Sequence, residues 1–402
     1  MTTKRNILFI GNYPPPFGGV PLHIELLSGY LAARGWSCHV LSGGVTGTER
    51  IGDVMVHKPG YVRKARGAIR QSFNRDFDRW PDGRDFVAEQ PAMARRYRMF
   101  ADVGSAIVRR ERIDLIASYN LLSYAPVGAW LSEQFDLPHV VTIFGEIFKF
   151  PEMARHAGFF RAASERAHKL LSCSEHCGRS LTRLGVERRV DAVTFGIDLK
   201  RFHPGEPPVD LRDRLGFSDA PVVLFVGRLT REMGLDSFIA AAETIQTARP
   251  DTQFLIVGQE GDFADEAESR AATWPGNMAV VRNAPYDELP LYYRLADVLL
   301  VPTRGDRTCS SLAGMEAMAT RVAVAAFAIG GVPEIVIDDD TGLLVPPEDT
   351  DRLAHATLRL LEDAQLRERM AAAGFAQAQA RLGEQHMNAA MEAQFAELLA
   401  RQ

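Results

Sequence analysis

Residues 221–229 read Pro-Val-Val-Leu-Phe-Val-Gly-Arg-Leu, with an unbroken apolar run from Val222 to Val226 closed by Gly227 and Arg228. A strand that is apolar on both faces needs helices on both faces, which is the environment of a parallel sheet rather than of a half-wet antiparallel one. Working downstream, the same kind of run recurs at 253–257, 278–281, 297–301 and 322–326, each separated from the next by a helical pattern. Working upstream, strands are predicted at 6–12, 36–41, 113–117, 139–143 and around 169–173, with a helix over 20–34 ending at Gly35. Strand and helix alternating in this way is the pattern of repeated βαβ units. The His-Pro-Gly-Glu-Pro-Pro stretch at 203–208 reads as a linker between two such series. The expected fold is therefore α/β: two Rossmann-like domains facing each other across a cleft. The first covers 1–198 and the second 199–384, with the last helix, within 385–402, packing back on the first.

The chain's 402 residues are ample for two cores, and 46% of them are hydrophobic. A formal net charge of -5, with no Lys/Arg block, gives no drive toward nucleic acid. The first strand begins too close to Met1 for a signal peptide, and no apolar run is long enough to span a bilayer, so a cytoplasmic location is expected. The four cysteines make no disulfide framework. Cys173, His176 and Cys177 lie close together but lack a fourth ligand at a spacing that suits zinc, and no metal is expected. Segment 58–112 stands apart. It carries Arg63, Arg66, Arg70, Arg75, Arg79, Arg95, Arg96 and Arg98 among the aromatics Tyr61, Phe73, Phe77, Trp80 and Tyr97. It reads either as a basic amphipathic surface for an anionic membrane or phosphorylated lipid, or as a solvated helical hairpin with Arg/Asp pairs such as Arg75 and Asp76.

In doubly wound sheets ligands bind beyond the carboxyl ends of the strands. Four stretches fall at that level. Gly18-Gly19 follows the first strand and opens a helix, where backbone N–H groups can approach an anion closely. Gly227-Arg228 ends the first strand of the second series, and a guanidinium fork there suits a diphosphate. Residues 301–316 run from a strand through a loop into a helix, with Ser310 and Ser311 as capping candidates and Glu316 inside the helix. A carboxylate at Glu316 can accept both hydroxyls of a ribose diol; the alternative is a solvated helix glutamate. Gly330-Gly331-Val332-Pro333-Glu334 is another glycine turn into a helix.

Together these segments resemble glycosyltransferase family four, whose fold is the two-domain GT-B type and whose members retain anomeric configuration. The resemblance runs over nearly the full length. It is carried by FGIDLKRFHP (195–204), LFVGRLTREMG (224–234), YRLADVLLVPT (293–303) and MEAMA followed by GGVPEIVIDDDTGLLVPPED. It implies that Gly18, Gly19 and Arg228 hold the donor diphosphate and that Glu316 holds the ribose. Gly330, Gly331 and Glu334 would then lie by the transferred sugar, and Val281-Arg282-Asn283 by the nucleobase. Three positions depart from the family pattern. Phe144-Gly145-Glu146 stands where His-Gly is usual, Met233 where a lysine is usual, and Thr308 where the first glutamate of a Glu-x7-Glu pair is usual. Arg231, Arg304 and Arg307 are candidates to replace the lysine, and Glu146 to orient acceptor or sugar. Ser118-Tyr119-Asn120, with Phe144, would line the acceptor side.

The activity implied is transfer of a sugar from a nucleoside-diphosphate sugar to a glycan or lipid-linked acceptor, with no metal or other cofactor. The leaving phosphate itself takes the acceptor proton. A silent GT-B scaffold that binds a nucleotide sugar or a partner subunit is the alternative. Epimerisation lacks a set of acids and histidines, and phosphorolysis lacks a Schiff-base lysine, since Lys200 is the second domain's lone lysine and sits at its border.

Overall fold

The computed structural model describes residues 5–14, 19–44, 47–59, 76–148, 154–305 and 308–401. It divides into two compact units. One comprises Met1–Thr194 with Met387–Gln402, and the other comprises Phe195–His386.

The second unit is built on a six-stranded sheet. Its strands are β9 (Val222–Val226), β10 (Gln253–Gly258), β11 (Met278–Arg282), β12 (Val298–Val301), β13 (Ala323–Phe327) and β14 (Leu343–Val345). They lie in the order β11-β10-β9-β12-β13-β14, and every pairing is parallel. The order reverses direction between β9 and β12, and a crevice opens where crossovers leave to opposite sides. Val223, Phe225, Phe254, Ile256, Val298 and Leu300 are fully or almost fully buried, as two-sided helix cover requires. β14 is an addition to the five strands read from the sequence: three residues, Leu-Leu-Val, inside a loop-rich stretch.

In the first unit an eight-stranded sheet has the order β3-β4-β2-β1-β5-β6-β7-β8. Its strands are β1 (Asn6–Ile10), β2 (Ser37–Leu41), β3 (Gly47–Ile51), β4 (Val54–Lys58), β5 (Leu115–Tyr119), β6 (His139–Ile143), β7 (Lys169–Ser172) and β8 (Asp191–Ala192). All neighbours are parallel except β3 and β4, which form an edge hairpin. That hairpin was not read from the sequence because β3, Gly-Thr-Glu-Arg-Ile, is solvent-facing and carries no apolar run. The reversal of strand order here falls between β1 and β5.

From Met387 onward the helix Glu384–Leu399 completes the first unit. Asn388 donates to the Leu26 carbonyl at 3.3 Å, the Trp36 indole N–H donates to Glu392 at 3.1 Å, and Phe395 packs on Trp36 with Met391 and Leu398 beside it in the core.

The described part of segment 58–112 contains the helices Gly83–Glu89 and Pro91–Glu111. Phe77, Trp80, Phe86, Tyr97 and Phe100 are all buried, and Phe86 stacks on Phe159 at 4.1 Å between centroids. Asp76 accepts the Trp130 indole N–H at 3.0 Å. Tyr61, Arg63, Arg66, Arg70, Phe73 and Arg75 lie outside the described residues.

Candidate active site

The loop after β9 and the loop after β12 flank the reversal point of the second sheet, and glycine brings them together. Gly234 has φ 78°, and a Cβ there would sit 1.8 Å from the Pro302 carbonyl oxygen, so only glycine allows the two backbones to lie this close. Three arginines collect on these loops. Arg228 is exposed and lies 3.6 Å from Glu232. Arg304 makes a 3.0 Å ion pair with Asp236 and donates to the Ser237 hydroxyl at 2.9 and 3.1 Å. Arg231 approaches the same Asp236 oxygen at 3.6 Å and also pairs with Glu266 at 3.2 Å. The Arg304 amide donates to the Glu232 carbonyl at 3.1 Å, which ties all three cations to one frame. Met233 takes no part in this cluster; it is partly buried and packs against the core. Arg307 lies outside the described residues.

Glu316 is on the helix Leu312–Ala319, which Ser311 caps: its hydroxyl accepts the Gly314 amide at 3.1 Å. The solvated alternative does not hold for Glu316, since only 4% of the residue is exposed. Tyr293 donates to one carboxylate oxygen at 2.8 Å and Tyr286 to the other at 3.4 Å. Burial pushes the carboxyl up to about 7, against the opposing pull of the two tyrosine hydrogen bonds and of Arg201. Neither tyrosine was singled out from the sequence. Their spacing from Glu316 follows no helical or strand period, and only the fold brings them to it.

The 308–316 loop and the glycine turn at 330–331 also meet. The Gly331 amide donates to the Thr308 carbonyl at 2.8 Å, and Gly330 has φ 59° with room for no Cβ, the Thr308 oxygen being 2.3 Å from where one would be. Ser310 Oγ is buried without a hydrogen-bond partner among the described residues. Glu334 ends the short helical turn Val332–Glu334. The side chain of Arg282 is occupied: Asp265 at 2.6 Å, Glu260 at 3.1 Å and Glu268 at 3.3 Å surround it. Asn283, at φ 53°, donates its amide to the Gly258 carbonyl at 2.7 Å, and its side-chain oxygen accepts the Glu260 amide at 3.1 Å.

In the first unit Gly19 begins the helix Gly19–Ala32, while Gly18 lies outside the described residues. Tyr119 is fully buried, stacked at 6.0 Å on Phe144 and 5.2 Å from His23, and its hydroxyl finds no partner among the described residues. It is an interior residue, and Phe144 is buried at 9% exposure. Asn120 has φ 89°, and its side-chain oxygen accepts the Ser123 amide at 2.9 Å. Glu146 is buried, and each of its oxygens accepts a backbone amide: Leu121 at 2.7 Å and Phe144 at 2.9 Å. It clamps the ends of β5 and β6 together. Desolvation pushes its carboxyl up to about 7. A polar cavity of about 860 Å3 lies by the start of β7, against Lys169, Arg188, Asp191 and Glu397. Lys169 is already paired with Asp191 and Glu397, and Arg188 already donates to backbone carbonyls, so this cavity holds none of the candidate chemistry.

Two sheets of reversing strand order, parallel but for one edge hairpin, with arginines, a buried glutamate and glycine turns at the carboxyl end of the second, define the class: the fold is that of a GT-B glycosyltransferase. Family comparison agrees. Glycosyltransferase Family 4 matches residues 17–201 and Glycosyl transferases group 1 matches residues 210–377. The chain belongs to the family four, group 1 glycosyltransferases.

Among curated relatives, alpha-D-kanosaminyltransferase of Streptomyces kanamyceticus is 32% identical over 40% of this chain and 42% of its own. The GDP-mannose-dependent monoacylated alpha-(1-6)-phosphatidylinositol monomannoside mannosyltransferase of Corynebacterium glutamicum is 36% identical over 50% of this chain and 55% of its own. The chain thus spans about half the length of these relatives. A solved sucrose-phosphate synthase from Thermosynechococcus elongatus superposes with a TM-score of 0.77 at 24% identity, covering 99% of this chain and 100% of that one. No helix among the described residues is long and apolar enough to cross a membrane.

Proposed function

We propose that the protein transfers a sugar from a nucleoside-diphosphate sugar to a glycan or lipid-linked acceptor with retention of anomeric configuration. The observation that carries the reading is the convergence of Arg228, Arg231 and Arg304 on the two loops at the reversal point of the second sheet, with buried Glu316 on the helix that follows. Bond breaking at the anomeric carbon leaves negative charge on the departing diphosphate. Fixed cations aimed at that charge are commonly the largest catalytic contribution, each worth about 3 kcal/mol of barrier. Here Arg304 supplies the charge that Met233 does not, held in place by Asp236 and Ser237. The new bond forms between the anomeric carbon and an acceptor hydroxyl oxygen on the same face. The phosphate oxygen that leaves takes that hydroxyl's proton, so no protein nucleophile or base is required. Glu316 receives the ribose hydroxyls, and backbone at Asn283 borders the base.

The silent-scaffold reading keeps one specific support: each of the three arginines already has a carboxylate neighbour. Incubation with UDP-, GDP- and ADP-sugars separates the two. Diphosphate release that depends on Arg304 is expected. Tight diphosphate binding without release from any donor, with or without lipid or glycan acceptors, overturns the transferase reading.

A further inference from the structure

We propose that Tyr293 is a positioning residue that fixes one oxygen of Glu316, while Tyr286 holds the other only loosely, as the place-holder that a ribose hydroxyl displaces. This rests on the nucleotide reading above.

The two contacts differ in the way such roles require. Tyr293 Oη is 2.8 Å from Glu316 Oε2, the usual length of an O–H···O bond, whereas Tyr286 Oη is 3.4 Å from Oε1, beyond the usual range. Their surroundings differ too. Phe202 lies edge-to-face on both rings, 5.9 Å from Tyr293 and 5.6 Å from Tyr286, but Tyr293 is fully buried on the helix Leu289–Leu295. Tyr286 begins a single turn, Tyr286–Glu288, and is partly exposed; its ring carries the Arg201 guanidinium at 4.9 Å. Arg201 is held in turn by Asp287 at 2.8 Å and Asp198 at 3.8 Å. One hydroxyl is thus locked into the core and the other stands at its rim. A carboxylate that must accept a vicinal diol needs its free oxygen presented and its bound oxygen immobile. Tyr293 supplies the second condition, and withdrawal of Tyr286 supplies the first.

Charge follows from the same geometry. The groups facing Glu316 are Tyr293, Tyr286 and Arg201, and all three favour its anion against desolvation. Only the anion accepts both ribose hydroxyls. Removing the Tyr293 hydroxyl therefore raises the pH below which ribose recognition is lost. A residue that merely packs would leave that pH unchanged.

The test is calorimetric titration of the full chain with UDP and with 2′,3′-dideoxy-UDP across the neutral range, with GDP and ADP pairs run alongside. Taking the ratio of the two affinities cancels titration of the phosphate and isolates the ribose contact. Tyr293→Phe is expected to weaken the ribose-containing ligand about tenfold and to move the midpoint of the ratio to higher pH. Glu316→Gln should abolish the pH dependence of the ratio. Tyr286→Phe, in alkaline buffer where the carboxylate is fully ionised, should tighten binding. The proposal is overturned if Tyr293→Phe leaves the midpoint where it was, or if Tyr286→Phe loses as much affinity as Tyr293→Phe. If the unmodified chain binds none of the three diphosphates, the nucleotide reading falls and this inference with it.

Discussion

Replacing Glu146 by glutamine should make the protein less stable in mild acid and close or reverse that deficit in mild alkali. Protonated or ionised, the carboxyl keeps lone pairs on both oxygens and accepts the Leu121 and Phe144 amides, whereas glutamine's single carbonyl oxygen can accept only one of them. Its NH2 group then faces the other amide, which loses its partner at a cost of about 1–3 kcal/mol. Against this stands the charge. Burial raises the carboxyl from 4.5 to about 7 in the folded protein, so folding retains a proton that the unfolded chain releases. The stabilisation from that retained proton is complete below pH 4.5 and is lost as pH rises through about 7. The full span amounts to about 3 kcal/mol. Glutamine cannot ionise and escapes this loss. The stability difference between variant and wild type should therefore move by about 3 kcal/mol in the variant's favour between about pH 5 and pH 8.5.

Urea unfolding followed by tryptophan fluorescence reads it, since Trp36, Trp80 and Trp130 all lie in the first unit. Taking the difference removes the opposite slope of the buried histidines His23, His57 and His139, whose protonated forms burial disfavours. A difference that stays constant over that range would refute the reasoning. So would a loss of turnover with stability unchanged, which would make Glu146 a substrate contact rather than a clamp.

Two further outcomes are expected. Arg304→Ala should lower turnover by about 100-fold, and adding Met233→Lys should recover part of the loss; steady-state kinetics check both, and an unaltered rate removes Arg304 from the diphosphate site. Tyr119→Phe should be neutral or stabilising by about 1 kcal/mol, because the hydroxyl it deletes is buried and has no partner among the described residues, and it should leave turnover intact; thermal unfolding and a rate measurement decide between this and an acceptor contact.

The parts of the fold that were readable from residues alone are those where burial on two faces forces continuous apolar runs. Val222–Val226, Gln253–Gly258 and His139–Ile143 are of this kind. The edge hairpin β3–β4 and the three-residue β14 were not readable. An edge strand needs no apolar face, and so short a strand has no period to detect. Loop residues were legible by type but not by partner. Arg228, Arg304 and Glu316 could be suspected because their chemistry suits a diphosphate and a diol. Nothing in spacing distinguishes Arg282, enclosed by three acids, from an arginine left open to a ligand. Glu146 shows the same limit. Its sequence context is that of a site carboxylate, and its partners, the amides of Leu121 and Phe144, become neighbours only once β5 and β6 pair.

The return of Met387–Gln402 to the first unit affects biosynthesis. Chains leaving a ribosome ordinarily fold their leading domain first. Here that domain lacks Met391, Phe395 and Leu398 until residues 195–386 have been made, so its Trp36 neighbourhood stays open through the whole translation of the second unit. A late frameshift would accordingly injure the earliest-synthesised half of the protein and leave the segment nearest the lesion able to fold.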